Sequence, residues 1–263
     1  MKKRSTASRL IVQSIFFLLS MAILAFVIIV GKKAIHNACP YASVCFGLNY
    51  QQLLGLSSGI FLFSTLLGFA ILISSIFLGR KFCSWICPLG SIQEALYQLR
   101  SRRYRMKQRV PFYIEHKLAF LKYLILAFTV ISAIAGLAYL FIRFCPFYAL
   151  SMLPRLAIPG LALLALILVA GLFIERFWCR FLCPYAALLN IFQALGKLFG
   201  IRRLMIQRNL ESCNDCRLCV LYCPMNINLC EYEYVEDANC IHCEICAQRC
   251  PKGSLNPDCK EEL

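Results

Sequence analysis

The chain has 263 residues, of which 60% are hydrophobic and 16% charged, with a formal net charge of +15; so apolar a composition points to a membrane protein. Its 17 Cys do not describe a secreted disulfide scaffold, because ten of them lie between Cys213 and Cys259 at metal-ligand spacing, which implies a reducing compartment. Nor does the basic excess mark a nucleic-acid binder: Met1 to Leu210 holds 24 Lys/Arg against 3 Asp/Glu in short loops between apolar runs, while Glu211 to Leu263 holds 4 against 10.

In chain order, four spans are expected. Leu10 to Val30 follows a basic start (Lys2, Lys3, Arg4, Arg9) and ends in Gly31-Lys32-Lys33; it is too long for a signal-peptide core, so it reads as an uncleaved anchor. Leu53 to Leu78 is the second span, Leu118 to Ile142 the third and Ile158 to Ile174 the fourth. Nine basic residues lie between Arg80 and Lys117, and six between Arg176 and Arg208. The other two loops hold only Lys32 with Lys33, and Arg143 with Arg155. Both termini are therefore expected on the cytoplasmic side.

The spans fall into an internal repeat, with halves of about 10–105 and 118–200. Each half runs span, Cys-Pro (Cys39-Pro40, Cys145-Pro146), span, and then a C-x3-C-P element: Cys83-x3-Cys87-Pro88 and Cys179-x3-Cys183-Pro184. Two spans per unit give copies of one orientation, a parallel repeat about an axis along the membrane normal, with matching Cys facing each other. Residues i and i+4 share a helix face, so each Cys pair can converge on one ion. Pro at the first helical position makes Cys87 and Cys183 the N-caps of amphipathic stretches, Leu89 to Leu99 and Tyr185 to Leu198. Thiols there, beside Arg80, Lys81, Arg176 and Arg180, are expected to have lowered pKa values. Cys83, Cys87, Cys179 and Cys183 are thus candidate ligands of one further site, for Cu(I), zinc or an iron–sulfur centre; the competing reading is a pair of helix caps that bind nothing. Cys39, Cys45 and Cys145 are expected to face the oxidising side, and Cys39 and Cys145 are either a disulfide tying the halves together or free thiols. His36 and His116 lie at opposite membrane faces, which argues against a haem held by two His.

The residues from 206 to 263 form the second unit, after a membrane unit of 1–205. Cys213-x2-Cys216-x2-Cys219-x3-Cys223-Pro224 and Cys240-x2-Cys243-x2-Cys246-x3-Cys250-Pro251 each have the ligand spacing of a ferredoxin with two [4Fe–4S] clusters. Three thiolates wrap one cubane and the fourth goes to the other. Cluster 1 is therefore assigned to Cys213, Cys216, Cys219 and Cys250, and cluster 2 to Cys240, Cys243, Cys246 and Cys223. Zinc sites usually show two separated C-x2-C pairs instead. The link from Cys223 to Cys240 is expected to be a short turn or hairpin. Cys230 and Cys259 read as non-ligands, and His242 as a neighbour able to donate a tuning hydrogen bond. The fold class is an α-helical membrane protein with a small α+β two-cluster ferredoxin domain at its C-terminus.

Over roughly Leu10 to Leu255 this combination of motifs resembles the NapH-type membrane ferredoxins, related to the C-terminal membrane parts of NosR and CcoG proteins. On length it is similar to the short NapH form, without the flavin domain of NosR or the extra C-terminal domain of CcoG. The resemblance implies passage of electrons from quinol toward a periplasmic reductase system through a partner ferredoxin, in a bacterial cytoplasmic membrane. The expected function is electron transfer between a quinol or soluble donor and a redox partner, as a relay subunit more than a complete enzyme. The alternatives are a copper-handling assembly factor that uses the C-x3-C-P thiols, and a membrane redox sensor.

Overall fold

A computed structural model describes residues 2–30, 41, 59–101, 104, 110–137, 144–145, 158–201 and 203–260. The expectations for Cys39, Cys45 and His36, and for the ends of spans two and three at 53–58 and 138–142, lie outside the described residues.

The apolar runs form helices. α1 covers Lys2–Val30 and α2 Gly59–Leu78. α5 (Phe112–Ala119) passes through Phe120 into α6 (Leu121–Ile134), and α7 covers Ile158–Phe173. The third apolar helix thus starts six residues before the expected Leu118, because nothing after Pro111 breaks it. It stops where Gly136 takes φ +74°, a left-handed value suited to glycine. Among the described residues one helical stretch, Phe112–Ile134, is long and apolar enough to cross a membrane, while Ser8–Ala22, Thr65–Leu78 and Ile158–Phe173 are shorter apolar stretches. Leu18, Leu66, Ile131 and Leu166 are among the large apolar side chains that these helices leave exposed.

After α2 come α3 (Lys81–Trp85) and α4 (Pro88–Gln98); after α7 come a wide π-type turn, Trp178–Leu182, and α8 (Pro184–Leu198). α4 packs on α7, and α8 on α2 and α6. Each amphipathic helix therefore lies against the apolar helix of the other half, so that the halves are clasped. Gly196 permits the second contact: a Cβ there would stand 2.7 Å from Ile76 Cγ2. The polar positions of the amphipathic helices are buried in the clasp, Gln93 and Glu94 on α4 and Asn190 and Gln193 on α8.

The C-terminal part is a two-stranded antiparallel sheet with two cysteine loops between its strands. β1 (Leu204–Arg208) pairs with β2 (Leu255–Lys260), Leu204 opposite Lys260 and Arg208 opposite Leu255, with an irregularity between Met205 and Gln207. β1 thus begins two residues before the expected boundary at 206. Its other edge is covered: Val235 N–H donates to the Ile206 carbonyl (2.9 Å) and Arg208 N–H to that of Glu233 (2.7 Å). The Cys223–Cys240 link is therefore not a hairpin. It makes a 3-10 turn, Leu229–Glu231, and returns along β1. Ile206, Met225, Ile227, Leu229, Val235, Ile241 and Leu255 fill the small core. Two short helices, α9 (Leu218–Leu221) and α10 (Ile245–Arg249), carry the third thiols of the two loops, Cys219 and Cys246.

Candidate metal centres

The two cysteine loops share an unusual backbone. Asp215 and Arg217 have φ of 48° and 54°, and His242 and Glu244 have φ of 46° and 61°. These are the second and fourth residues after the first Cys of each loop. A non-glycine residue held in this left-handed region costs about 1–3 kcal/mol and persists only where its surroundings require it. Alternation of this kind turns successive amides inward and makes a concavity for an anion, as at many iron–sulfur sites.

Cys213, Cys216, Cys219 and Cys250 line one cavity, with Arg208 at its wall. Cys223 is drawn out of its own loop to face Cys240 and Cys243, and it acts on Cys246 as well. Burial pushes the Cys240 thiol up to about 12, against the opposing His242 amide, and it raises Cys243 and Cys246 too. At the more open cluster 1 cavity, burial and then Cys230 push Cys219 up to about 11. Burial also opposes ionisation of Cys250, but the amides of Ser254, Lys252 and Gly253 outweigh it and hold that thiol below its ordinary value. Packed thiols with raised values hold their protons until a metal displaces them. Two crossed quartets, each in an amide-lined loop, fit a pair of cubanes.

Cys230, expected to be a non-ligand, lines the cluster 1 cavity and hydrogen-bonds to Cys219. Only its place in the Cys223–Cys240 link could have signalled this. Arg208 was also missed: it donates to Asp215 (2.9 Å) and lies 3.9 Å from the Cys213 sulfur. His242 is buried, and that desolvation, with Arg203 and Lys81 nearby, pushes its pKa down to about 4. Its ring is therefore neutral, and its Nδ1 has no partner among the described residues.

The four C-x3-C-P thiols also lie within electrostatic reach of one another. Cys87 and Cys183 are N-caps with Pro88 and Pro184 behind them, as expected. Cys83 and Cys179 are not on the same continuous helices, because α3 and the π-type turn end before the N-caps. The four sulfurs nevertheless act on one another: Cys87 on Cys179 and Cys83, and Cys183 on Cys179, Cys83 and Cys87. The expected lowering is overturned for Cys87, Cys179 and Cys183. Burial, reinforced by the neighbouring thiols, pushes Cys87 up to about 12 and raises Cys179 and Cys183, outweighing Arg176 and the amides of Gly90 and Ala186.

A buried charge network holds this quartet. Arg176 donates to the Cys83 carbonyl (2.6 Å) and to Glu94 (2.6 Å), which also accepts from Arg9 (2.5 Å). Arg80 donates to the Cys179 carbonyl (3.1 Å) and to Asn239 Oδ1 (3.3 Å). Lys122 donates to the same oxygen at 2.5 Å. The quartet adjoins the cluster 2 loop, since Trp85 Nε1 donates to the His242 carbonyl (3.3 Å) and Lys81 pairs with Glu244 (3.6 Å). Arg180 pairs with Glu115, which also accepts from Asn226 close to Cys223.

Loops of this backbone and thiol arrangement define an iron–sulfur protein of the electron-transport class. Comparison with known proteins agrees. A family model described as a 4Fe-4S binding domain matches residues 58–107 and 156–202, the stretches that hold the two C-x3-C-P elements. The chain is 31% identical over 189 residues to the uncharacterized protein MJ0750 of Methanocaldococcus jannaschii, covering 71% of this chain and 75% of that one. It is 29% identical over 215 residues to YccM of Escherichia coli K12, whose name assigns it provisionally to electron transport; the match covers 79% of this chain and 58% of YccM. With the ferredoxin-type protein NapH of Escherichia coli K12 it shares 30% identity over 148 residues, 55% of this chain and 47% of NapH. The chain belongs to the ferredoxin-type electron-transport family that includes NapH. It spans less than two thirds of the length of YccM and NapH. No solved structure matches.

Proposed function

We propose that the chain is a membrane-bound electron-transfer protein whose eight ferredoxin cysteines hold two [4Fe–4S] clusters on the cytoplasmic side of a bacterial inner membrane. The observation that carries the reading is the crossing of Cys223 and Cys250: each loop sends its fourth thiol to the other quartet. When bound, each cluster supplies a one-electron carrier. The residues set the conditions around it. The inward amides of the two loops and the Cys250-facing amides favour the more negative state, as does Arg208 at cluster 1, while burial of the cluster 2 thiols opposes it. Four spans in two parallel repeats, within a membrane unit of 1–205, are supported by apolar helices whose outer faces are lined by Leu, Ile and Phe. The basic loops between them support cytoplasmic termini. A quinol or soluble donor and a redox-partner protein complete the relay.

The test is an anaerobic redox titration of the detergent-solubilised protein, with a C-terminal tag probed in intact and opened cells. Two one-electron centres, one lost in Cys216→Ser and the other in Cys243→Ser, together with a tag reached only in opened cells, are expected. A redox-silent protein, or a tag reached from outside, refutes the proposal. Convergence of the four membrane-end thiols favours a second reading, a copper-handling assembly factor. In that reading the clusters supply reducing equivalents, and it requires Cu(I) binding that vanishes with those thiols while quinol oxidation is absent.

A further inference from the structure

We infer that Arg80, with Lys122 beside it, is the counter-charge of cluster 2: the helical part holds these cations against the loop of Cys240 and Cys243, where they favour the reduced state. This deepens the relay reading and rests on it.

Three observations carry the inference. First, the stretch from Gly79 to Trp85 grips the cluster 2 loop at four points. Gly79, at φ +62°, lets the chain approach the His242 ring; a Cβ there would stand 3.1 Å from His242 Cδ2. Arg80 donates to Asn239 Oδ1 (3.3 Å), one residue before Cys240. Lys81 pairs with Glu244 (3.6 Å), one residue after Cys243, and Trp85 donates to the His242 carbonyl (3.3 Å). His242 and Glu244 are the two left-handed residues of that loop, so the contacts hold the backbone that aims its amides inward.

Second, Arg80 is a buried cation without a carboxylate. It is 0% exposed, and its Nε has no hydrogen-bond partner among the described residues. Its bonds go to neutral oxygens, Asn239 Oδ1 and the Cys179 carbonyl (3.1 Å); the latter is half of an exchange between the repeats, in which Arg176 bonds the Cys83 carbonyl. Arg9, Arg176, Arg180 and Arg208 each meet a carboxylate, and among the described residues Arg80 meets none. Asp237 accepts the Asn239 N–H (2.7 Å) instead of the guanidinium. A buried charge without a partner is costly. Four thiolates on a cubane core of charge +2 or +1 total −2 or −3, and the first of them, Cys240, adjoins Asn239 in the chain.

Third, the two clusters differ in their cations. Arg208 at cluster 1 is already paired with Asp215 (2.9 Å), an exposed carboxylate. At cluster 2 the buried Lys122 adds a second donor to the Asn239 oxygen, at 2.5 Å. Buried charges are little screened by salt, and a cation beside a cluster stabilises its more negative state. One electron from the relay's donor takes the total from −2 to −3, with no proton and no bond exchanged.

The experiment titrates both clusters by electron paramagnetic resonance in the full chain, purified anaerobically in detergent, beside Arg80→Gln and Arg80→Lys. Cluster 2 is the signal lost in Cys243→Ser. In Arg80→Gln its reduction equilibrium should fall at least tenfold, 59 mV for one electron, while cluster 1 moves less than twofold. Arg80→Lys keeps the charge and should recover at least half of the shift. An unmoved cluster 2, an equal shift at both clusters, or no recovery with lysine overturns the inference and leaves the relay reading standing; a parent without clusters overturns both. Should Arg80→Gln not fold, Lys122→Met decides on the same oxygen: a fall of at least twofold at cluster 2 alone supports the inference, and an unmoved potential refutes it.

Discussion

Glu94→Gln tests the clasp between the halves. The Glu94 carboxylate lies 2.5 Å from Arg9 and 2.6 Å from Arg176, and the three side chains are 4%, 3% and 0% exposed respectively. Removing one member of a buried ion pair costs about 3–5 kcal/mol, because the partners stay buried and charged. Glutamine keeps one acceptor, so the low end, about 3 kcal/mol, is expected. In a chain of this size that lowers the thermal midpoint by about 6–12 °C. Trp85 and Trp178 flank the quartet, and their fluorescence in anaerobic detergent solution reports the transition. Burial raises the Glu94 carboxyl while Arg176 and Arg9 lower it, and the net value lies below the ordinary one. A folded-state value below the unfolded one, about 4.3, gives stability that is present above pH 4.3 and lost as pH falls through the folded value. The gap between parent and variant should hold from pH 7 to about 5 and shrink below about 4. A shift under 2 °C at pH 7, or a gap undiminished at pH 3.5, refutes the reasoning.

Three further outcomes are expected. Gly196→Val forces branched carbons against Ile76 and should cost about 1–3 kcal/mol, read as a lower midpoint; an unchanged midpoint means that α8 does not lie on α2 this closely. Cys230→Ser should keep the full iron content while shifting the cluster 1 potential, since Cys230 hydrogen-bonds a ligand without being one; loss of four irons would make it the true ligand. Lys122→Met removes a donor to Asn239, worth about 1 kcal/mol, and should speed proteolytic release of the ferredoxin part; an unaltered cleavage rate contradicts this latch.

The sequence made legible whatever depends on local spacing. Cys87 and Cys183 are N-caps because a following Pro has one favourable place in a helix, and the crossed fourth cysteines follow from C-x3-C-P. What it hid was tertiary. The lowered thiol pKa values expected from nearby arginines were overturned because burial, invisible in a residue string, outweighed them. The arginine exchange depends on which half each side chain reaches, and a repeat alone does not say. Lys122 and Glu94 belong to no motif, yet both are buried against partners 117 residues and 82–85 residues away. Cys230 stood outside every motif and arrived at the cavity through the turn at Leu229–Glu231.

The most direct test of the central claim is electron paramagnetic resonance of the anaerobically purified, dithionite-reduced chain, with iron and sulfide counted on the same sample. Interacting signals of reduced [4Fe–4S] clusters, with at least eight irons per chain, are predicted. A spectrum without them, in intact protein that holds zinc or no metal at the ferredoxin cysteines, would contradict the account.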